Sequence, residues 1–146
     1  MSDITTRDAK SNFLAADSNR SKLFIANNIF ESGTFLNAGG AEATFKMGLV
    51  LGRVAASNRL VPMTSAAVDG SQFPVGISAQ DVTVAAAGTV TVMIAVEGEV
   101  NANLVTLTGA DTLATVVSDR TIGDRIKADT AGIVLRSVDD STFYDN

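Results

Sequence analysis

Between Thr89 and Val100 the chain repeats with a period of two, so that Val90, Val92, Ile94 and Val96 share one face. That period specifies a strand with one face against a core. Ala85-Ala86-Ala87-Gly88 reads as the turn leading into it. Ahead of it, Asp69-Gly70-Ser71-Gln72-Phe73-Pro74 is a tight polar turn that feeds a second strand. Phe73 precedes proline and is biased to an extended conformation. Val75, Ile77 and Ala79 then alternate with Gly76, Ser78 and Gln80. A chain organised around such elements has to bury them in a β-rich body.

The other segments extend this picture. Leu23 to Leu36 is apolar without a clean period and predicts one or two strands, with Asn27-Asn28 or Ser32-Gly33 as the break. Asn37-Ala38-Gly39-Gly40 predicts a loop. Over Thr44–Val54, Phe45, Met47, Leu49 and Leu51 fall on one face of a strand, and Gly48 and Gly52 on the other. A glycine face of this kind predicts another backbone passing close by. Arg59–Met63 reads as an edge segment, because Pro62 cannot donate to a ladder. Asn101–Val117 is the best helical candidate, but its threonines limit it to one or two short helical turns. Thr121–Asp129 and Ile133–Val138, around Thr130-Ala131-Gly132, predict a closing hairpin.

Short strands with turns every 8–12 residues indicate a mainly β fold. The expected architecture is a small single-domain β-barrel or β-clip-like sandwich with one or two short helices and a flexible N-terminal arm. The arm is residues 1–20, in which Ile4, Phe13 and Leu14 are the only sizeable apolar side chains; the β-rich domain is 21–146. So polar a segment buries too little to offset a backbone ordering entropy of roughly 1–2 kcal/mol per residue.

Composition removes most chemistries. The 146 residues include no histidine and no cysteine. The usual general base near neutral pH, the commonest metal ligand, thiolate zinc sites and disulfides go with them. The net charge is −5, and the eleven bases form no block, which argues against a nucleic-acid partner. No secretory signal is evident at the start of the chain. The longest uncharged run, the 15 residues between Asp81 and Glu97, is shorter than the ~20 that a membrane helix requires.

Glu97 and Glu99 stand two apart on the strand, roughly 6–7 Å from one another. That spacing could serve sugar hydrolysis; a solvated strand end is the simpler reading, since no tryptophan and only Tyr144 could supply an aromatic platform. Ser65, Ser71 and Ser78 have no histidine to activate them, and no serine stands three residues before a lysine. Phosphate-loop, dinucleotide, zinc-protease and EF-hand patterns are absent. The reading is therefore of a protein that is no enzyme, with no catalytic residue, no cofactor and no metal.

Gly48-Leu49-Val50-Leu51-Gly52-Arg53-Val54, Asp69-Gly70-Ser71-Gln72-Phe73-Pro74-Val75-Gly76-Ile77, and Val92 to Val100 ending in Glu97-Gly98-Glu99-Val100 occur in an order that resembles the head decoration proteins of tailed phages, the group typified by that of phage lambda. Gly123–Asp129 with Gly132-Ile133-Val134 looks like the closing hairpin common in phage cement proteins. The resemblance implies a homotrimer seated at three-fold and quasi-three-fold positions on the outer surface of the mature head. It implies the phage major capsid protein as partner, synthesis in the host cytoplasm, and no contact with membrane. It also implies that the N-terminal arm orders on the shell by pairing with capsid strands, with Ile4, Phe13 and Leu14 as anchors, and that Asp69, Gly70, Ser71 and Pro74 form a structural turn. Residues 21–45 are longer and more apolar than that family's short arm. Alternative readings are another virion module, such as a tail or fibre component, or a small trimeric β-fold nucleotide hydrolase, whose family Gly123-Asp124-Arg125-Ile126 weakly resembles.

Overall fold

The computed structural model describes residue 20 and residues 22–137. Among the described residues the principal elements are β1 (Phe24–Leu36), β2 (Ala43–Phe45), β3 (Val50–Arg53), β4 (Leu60–Pro62), β5 (Pro74–Ser78), β6 (Val82–Val84), β7 (Thr89–Asn101), β8 (Val116–Val117), β9 (Arg120–Thr121), α1 (Ile122–Asp129) and β10 (Gly132–Arg136). A six-stranded sheet runs β1-β4-β3-β5-β7-β10, and β1 also pairs with β7. That second pairing curls the sheet into a small barrel-like ring, with β10 added outside it on β7. The mainly β, barrel-like class expected from the sequence is the observed one.

The alternating strand is the hub. Strand β7 pairs antiparallel with β1 and β5 and parallel with β10. Adjacent residues of the central strands feed two cores. Val50, Ile77 and Ala95 join Ile122, Ile126 and Ile133 beside α1. Leu51, Ile94 and Val92 join Phe35, Leu60, Val82 and Val84 under the small β2–β6 ribbon. Strands buried on both faces explain why the residues between the apolar ones at Pro74–Ser78 are glycine and serine.

Several sequence expectations need correction. Leu23–Leu36 does not break: β1 is a single strand, and Asn27-Asn28 is accommodated as a bulge with Asn27 at φ 55°. Thr44–Val54 is not one strand. Gly48, at φ 98°, turns the chain between β2 and β3, which belong to different sheets. Phe45, Leu49 and Leu51 keep a common core as expected, whereas Met47 packs in the other. Strand β4 is not an edge, since it lies between β1 and β3. Pro62 is tolerated because the ladder to β3 uses its neighbours: Met63 N–H donates to Val50 O, and Val54 N–H to Arg59 O.

Within Asn101–Val117 the structure has one 3₁₀ turn, Ala102–Leu104, and the valines at the end form β8. The β8–β9 connection is a two-residue hairpin with Ser118 at φ 47° and Asp119 at φ 73°, the geometry of a type I′ turn.

The expected closing hairpin is a helix and a strand. Thr121 caps α1 by accepting from Asp124 N at 3.2 Å, and Asp124 lies in the first turn, where the helix dipole favours an anion. Ile122 and Ile126, one turn apart, are fully buried. Thr130 Oγ donates to Ile126 O at 2.6 Å and accepts from Ile133 N at 3.0 Å, so one hydroxyl ends the helix and starts β10.

Candidate functional site

No group of three or more Asp or Glu side chains is placed to hold a metal ion among the described residues. Each side chain weighed above for chemistry has a structural partner. Ser65 Oγ donates to Asp111 Oδ1 at 2.6 Å, Ser71 Oγ to Asp69 Oδ1 at 2.6 Å, and Ser78 Oγ to Gln80 O at 2.8 Å. Glu99 is ion-paired with Arg136, and Glu97 packs against Gly132 of the same neighbouring strand. Glu99 thereby ties β10 to β7 through Arg136, and Glu97 lies beside Gly132 on the same pairing.

The built feature is the turn that the sequence singled out. Asp69 Oδ1 accepts from Ser71 N at 3.0 Å as well as from the Ser71 hydroxyl, and Gln72 Oε1 accepts from Gly70 N at 2.8 Å. Gly70 has φ 105°, a conformation that side chains rarely adopt. The hydroxyl of Ser71, then its backbone N–H, hold the Asp69 carboxyl below its ordinary value despite a small opposing desolvation. Ala55 N donates to Asp69 O at 2.9 Å, which ties the turn to the end of β3. Underneath, the Ser71 backbone lies against Gly52 where any Cβ would sit. Pro74 is buried opposite the same glycine. The close backbone approach expected of the Gly48 and Gly52 face is observed at both: a Cβ on Gly48 would meet Leu104 O at 2.6 Å.

This turn forms one rim of an open groove of about 620 Å³ whose walls include Leu36, Phe45, Val54, Val61 and Pro62. The opposite wall is the loop after β1. Buried Asn37 holds it: its Nδ2 donates to Ala41 O at 2.9 Å, Val84 O at 3.0 Å and Ala85 O at 3.3 Å, while its Oδ1 accepts from Gly39 N at 3.0 Å. The groove is thus mostly apolar, preformed by two rigid turns, and carries one carboxylate at its rim. Such a surface can accommodate apolar side chains.

Arg125 joins this region to the C-terminal elements. Its guanidinium lies 5.0 Å from the centre of the Phe73 ring, donates to Val117 O at 3.0 Å and Ser118 O at 2.6 Å, and pairs with Asp129 at 3.5 Å. The sequence reading missed Arg125 and Asn37. Asn37 before a glycine pair was legible as a loop, but two of its three carbonyl partners, Val84 and Ala85, are distant in sequence. Ile4, Phe13 and Leu14 lie outside the described residues.

With a mainly β body and an apolar groove established, comparison with known families is decisive. The family model for bacteriophage lambda head decoration protein D matches residues 24–121. The chain belongs to this family. The matched segment starts at the first residue of β1 and ends at the last of β9, so it covers the barrel-like ring, the Asp69–Pro74 turn and the groove. It stops one residue before α1. No curated protein sequence matches the chain. The family consists of structural decoration proteins of the phage head, which bind the outer surface of the capsid; the chain is accordingly a virion structural protein.

Proposed function

We propose that the protein is a capsid cement: a homotrimer that sits at three-fold and quasi-three-fold positions of the mature head, grips neighbouring major capsid subunits and stabilises the shell against the pressure of packaged DNA. It is made in the host cytoplasm and transforms no substrate. The observation that carries this reading is the family match over the whole β body, residues 24–121. The preformed apolar groove supports it, because a staple has to present a surface that does not deform under load.

In this reading residues 1–20 form an arm outside a domain of 21–146, and Ile4, Phe13 and Leu14 anchor it by strand addition to the shell. Many copies on one lattice make individually weak contacts sufficient. Two measurements test the proposal. Light scattering of the pure protein should give the mass of three chains. DNA-filled heads lacking the protein should resist rupture at higher temperature once it is added. A monomer that leaves the rupture temperature unchanged overturns it. Removing residues 1–20 should leave the fold intact and weaken attachment to heads.

A further inference from the structure

Asp69-Gly70 is the one Asp-Gly step in the chain, and there is no Asn-Gly step. An Asp-Gly backbone can be attacked by itself. The glycine amide nitrogen adds to Cγ of the aspartic acid; an N–Cγ bond forms, and the amide proton and the acid's hydroxyl leave together as water. Water from the solvent then opens the five-membered imide. Opening at the side-chain carbonyl restores aspartate, and opening at the main-chain carbonyl leaves isoaspartate, with the chain running through the former side chain. The reaction needs a free amide N–H and a protonated carboxyl, because a carboxylate has no hydroxyl to lose. Glycine favours it by leaving the nitrogen unhindered.

The turn requires both residues of this labile pair. Gly70 has φ 105°, and a Cβ there would meet Arg53 O at 3.0 Å and Ala55 N at 3.2 Å. Asp69 supplies the oxygen that accepts from Ser71. Yet both reacting groups are engaged. Gly70 N–H donates to Gln72 Oε1 at 2.8 Å. The hydroxyl and N–H of Ser71 hold Asp69 Oδ1 at 2.6 Å and 3.0 Å, which favours the unreactive carboxylate. The flanking carbonyls are also tied, Asp69 O by Ala55 N at 2.9 Å and Gly70 O by Phe73 N at 3.3 Å.

We propose that Asp69-Gly70 is a latent isomerisation site, held shut by the side chains of Ser71 and Gln72 while the turn is closed. Gln72 is the guard of the attacking nitrogen, as any hydrogen bond shields an amide from proton loss until it opens. Isoaspartate would lengthen the backbone by one carbon between residues 69 and 70. The Ser71 backbone, packed where a Cβ of Gly52 would sit, has no room for that displacement. The modification therefore accumulates in chains whose turn has opened, and it keeps them from closing again. This inference stands on the turn alone and is independent of attachment to the shell.

The test holds folded full-length protein at pH 5 for several weeks. Isoaspartate is counted by peptide mapping, since a protease that cuts before aspartate no longer cuts before residue 69 once it has isomerised. The parent should react at least about tenfold more slowly than a free peptide of residues 64–75, and Gln72→Ala and Ser71→Ala should each react severalfold faster than the parent. Asn37→Ala, weakened in the loop across the groove, should keep the parent's rate. A parent as fast as the peptide, or either turn variant no faster than the parent, overturns the proposal. An equal rise in Asn37→Ala also overturns it and assigns the protection to overall stability.

Discussion

The guanidinium of Arg125 lies 5.0 Å from the centre of the Phe73 ring, so a helix outside the family-matched segment is fastened to the turn at its heart. The same side chain is only 15% exposed and satisfies the carbonyls of Val117 and Ser118. Removing it leaves two carbonyls and the Asp129 carboxylate without their partner. Arg125→Ala is expected to cost about 2–4 kcal/mol of stability, and Arg125→Lys about half of that, because a lysine cannot serve both carbonyls in the plane of the fork. Urea unfolding with fitted midpoints checks both values.

Gly52 makes the sharpest steric prediction. The Ser71 backbone occupies the place of its missing Cβ, and backbone on both sides is held in ladders and turns. Gly52→Ala should destabilise by about 3 kcal/mol or more, enough to lower the soluble yield. Gly40→Ala, with open space around it, should stay within ~0.5 kcal/mol of the parent. Thermal melts of the two variants side by side provide the comparison.

Much of this was legible in the sequence. Strand β7 and the Asp69–Pro74 turn follow from period two and from turn chemistry, which are local. The hairpin expected at the C-terminal end illustrates the limit. Thr121-Ile122-Gly123-Asp124-Arg125-Ile126 alternates apolar and polar residues loosely enough to pass for a strand. Its helical signals were the Thr121-x-x-Asp124 cap and the i, i+4 isoleucines, and what decides between the readings is burial of Ile122 and Ile126 against β5 and β8. The groove was illegible for the same reason: its walls come from residues 36–39, 45, 54–71, and nothing in their order along the chain brings them together.

Asp69 gives a pH dependence with a defined sign. Its folded pKa lies below its unfolded value of about 3.9, so the stabilisation is fully present above that value and is lost as pH falls through the folded pKa. Asp69→Asn keeps an oxygen that can accept from Ser71 but cannot titrate. Between pH 5 and pH 3 the parent should therefore lose more stability than Asp69→Asn, measured as the shift in urea midpoint. Parallel pH profiles for the two proteins would count against the role given to this carboxylate.

Asn37 links fold to groove. Asn37→Ala strips the side-chain partner from the buried Val84 carbonyl and loosens the loop on the β6–β7 turn, which the backbone bonds Asn37 N to Gly88 O and Ala87 N to Gly39 O still hold. A loss of about 1–3 kcal/mol is expected. Because the loop is a wall of the groove, attachment to shells should weaken at temperatures where the variant is still folded. Circular dichroism and shell co-sedimentation on the same preparation separate the two effects.

The most direct test of the whole account is saturable co-sedimentation of the purified full-length protein with expanded phage heads stripped of decoration protein, beside unexpanded precursor shells. Binding that saturates on expanded heads and is absent from precursor shells is the predicted result. Protein that stays in the supernatant with both, at concentrations that would saturate the lattice, contradicts it.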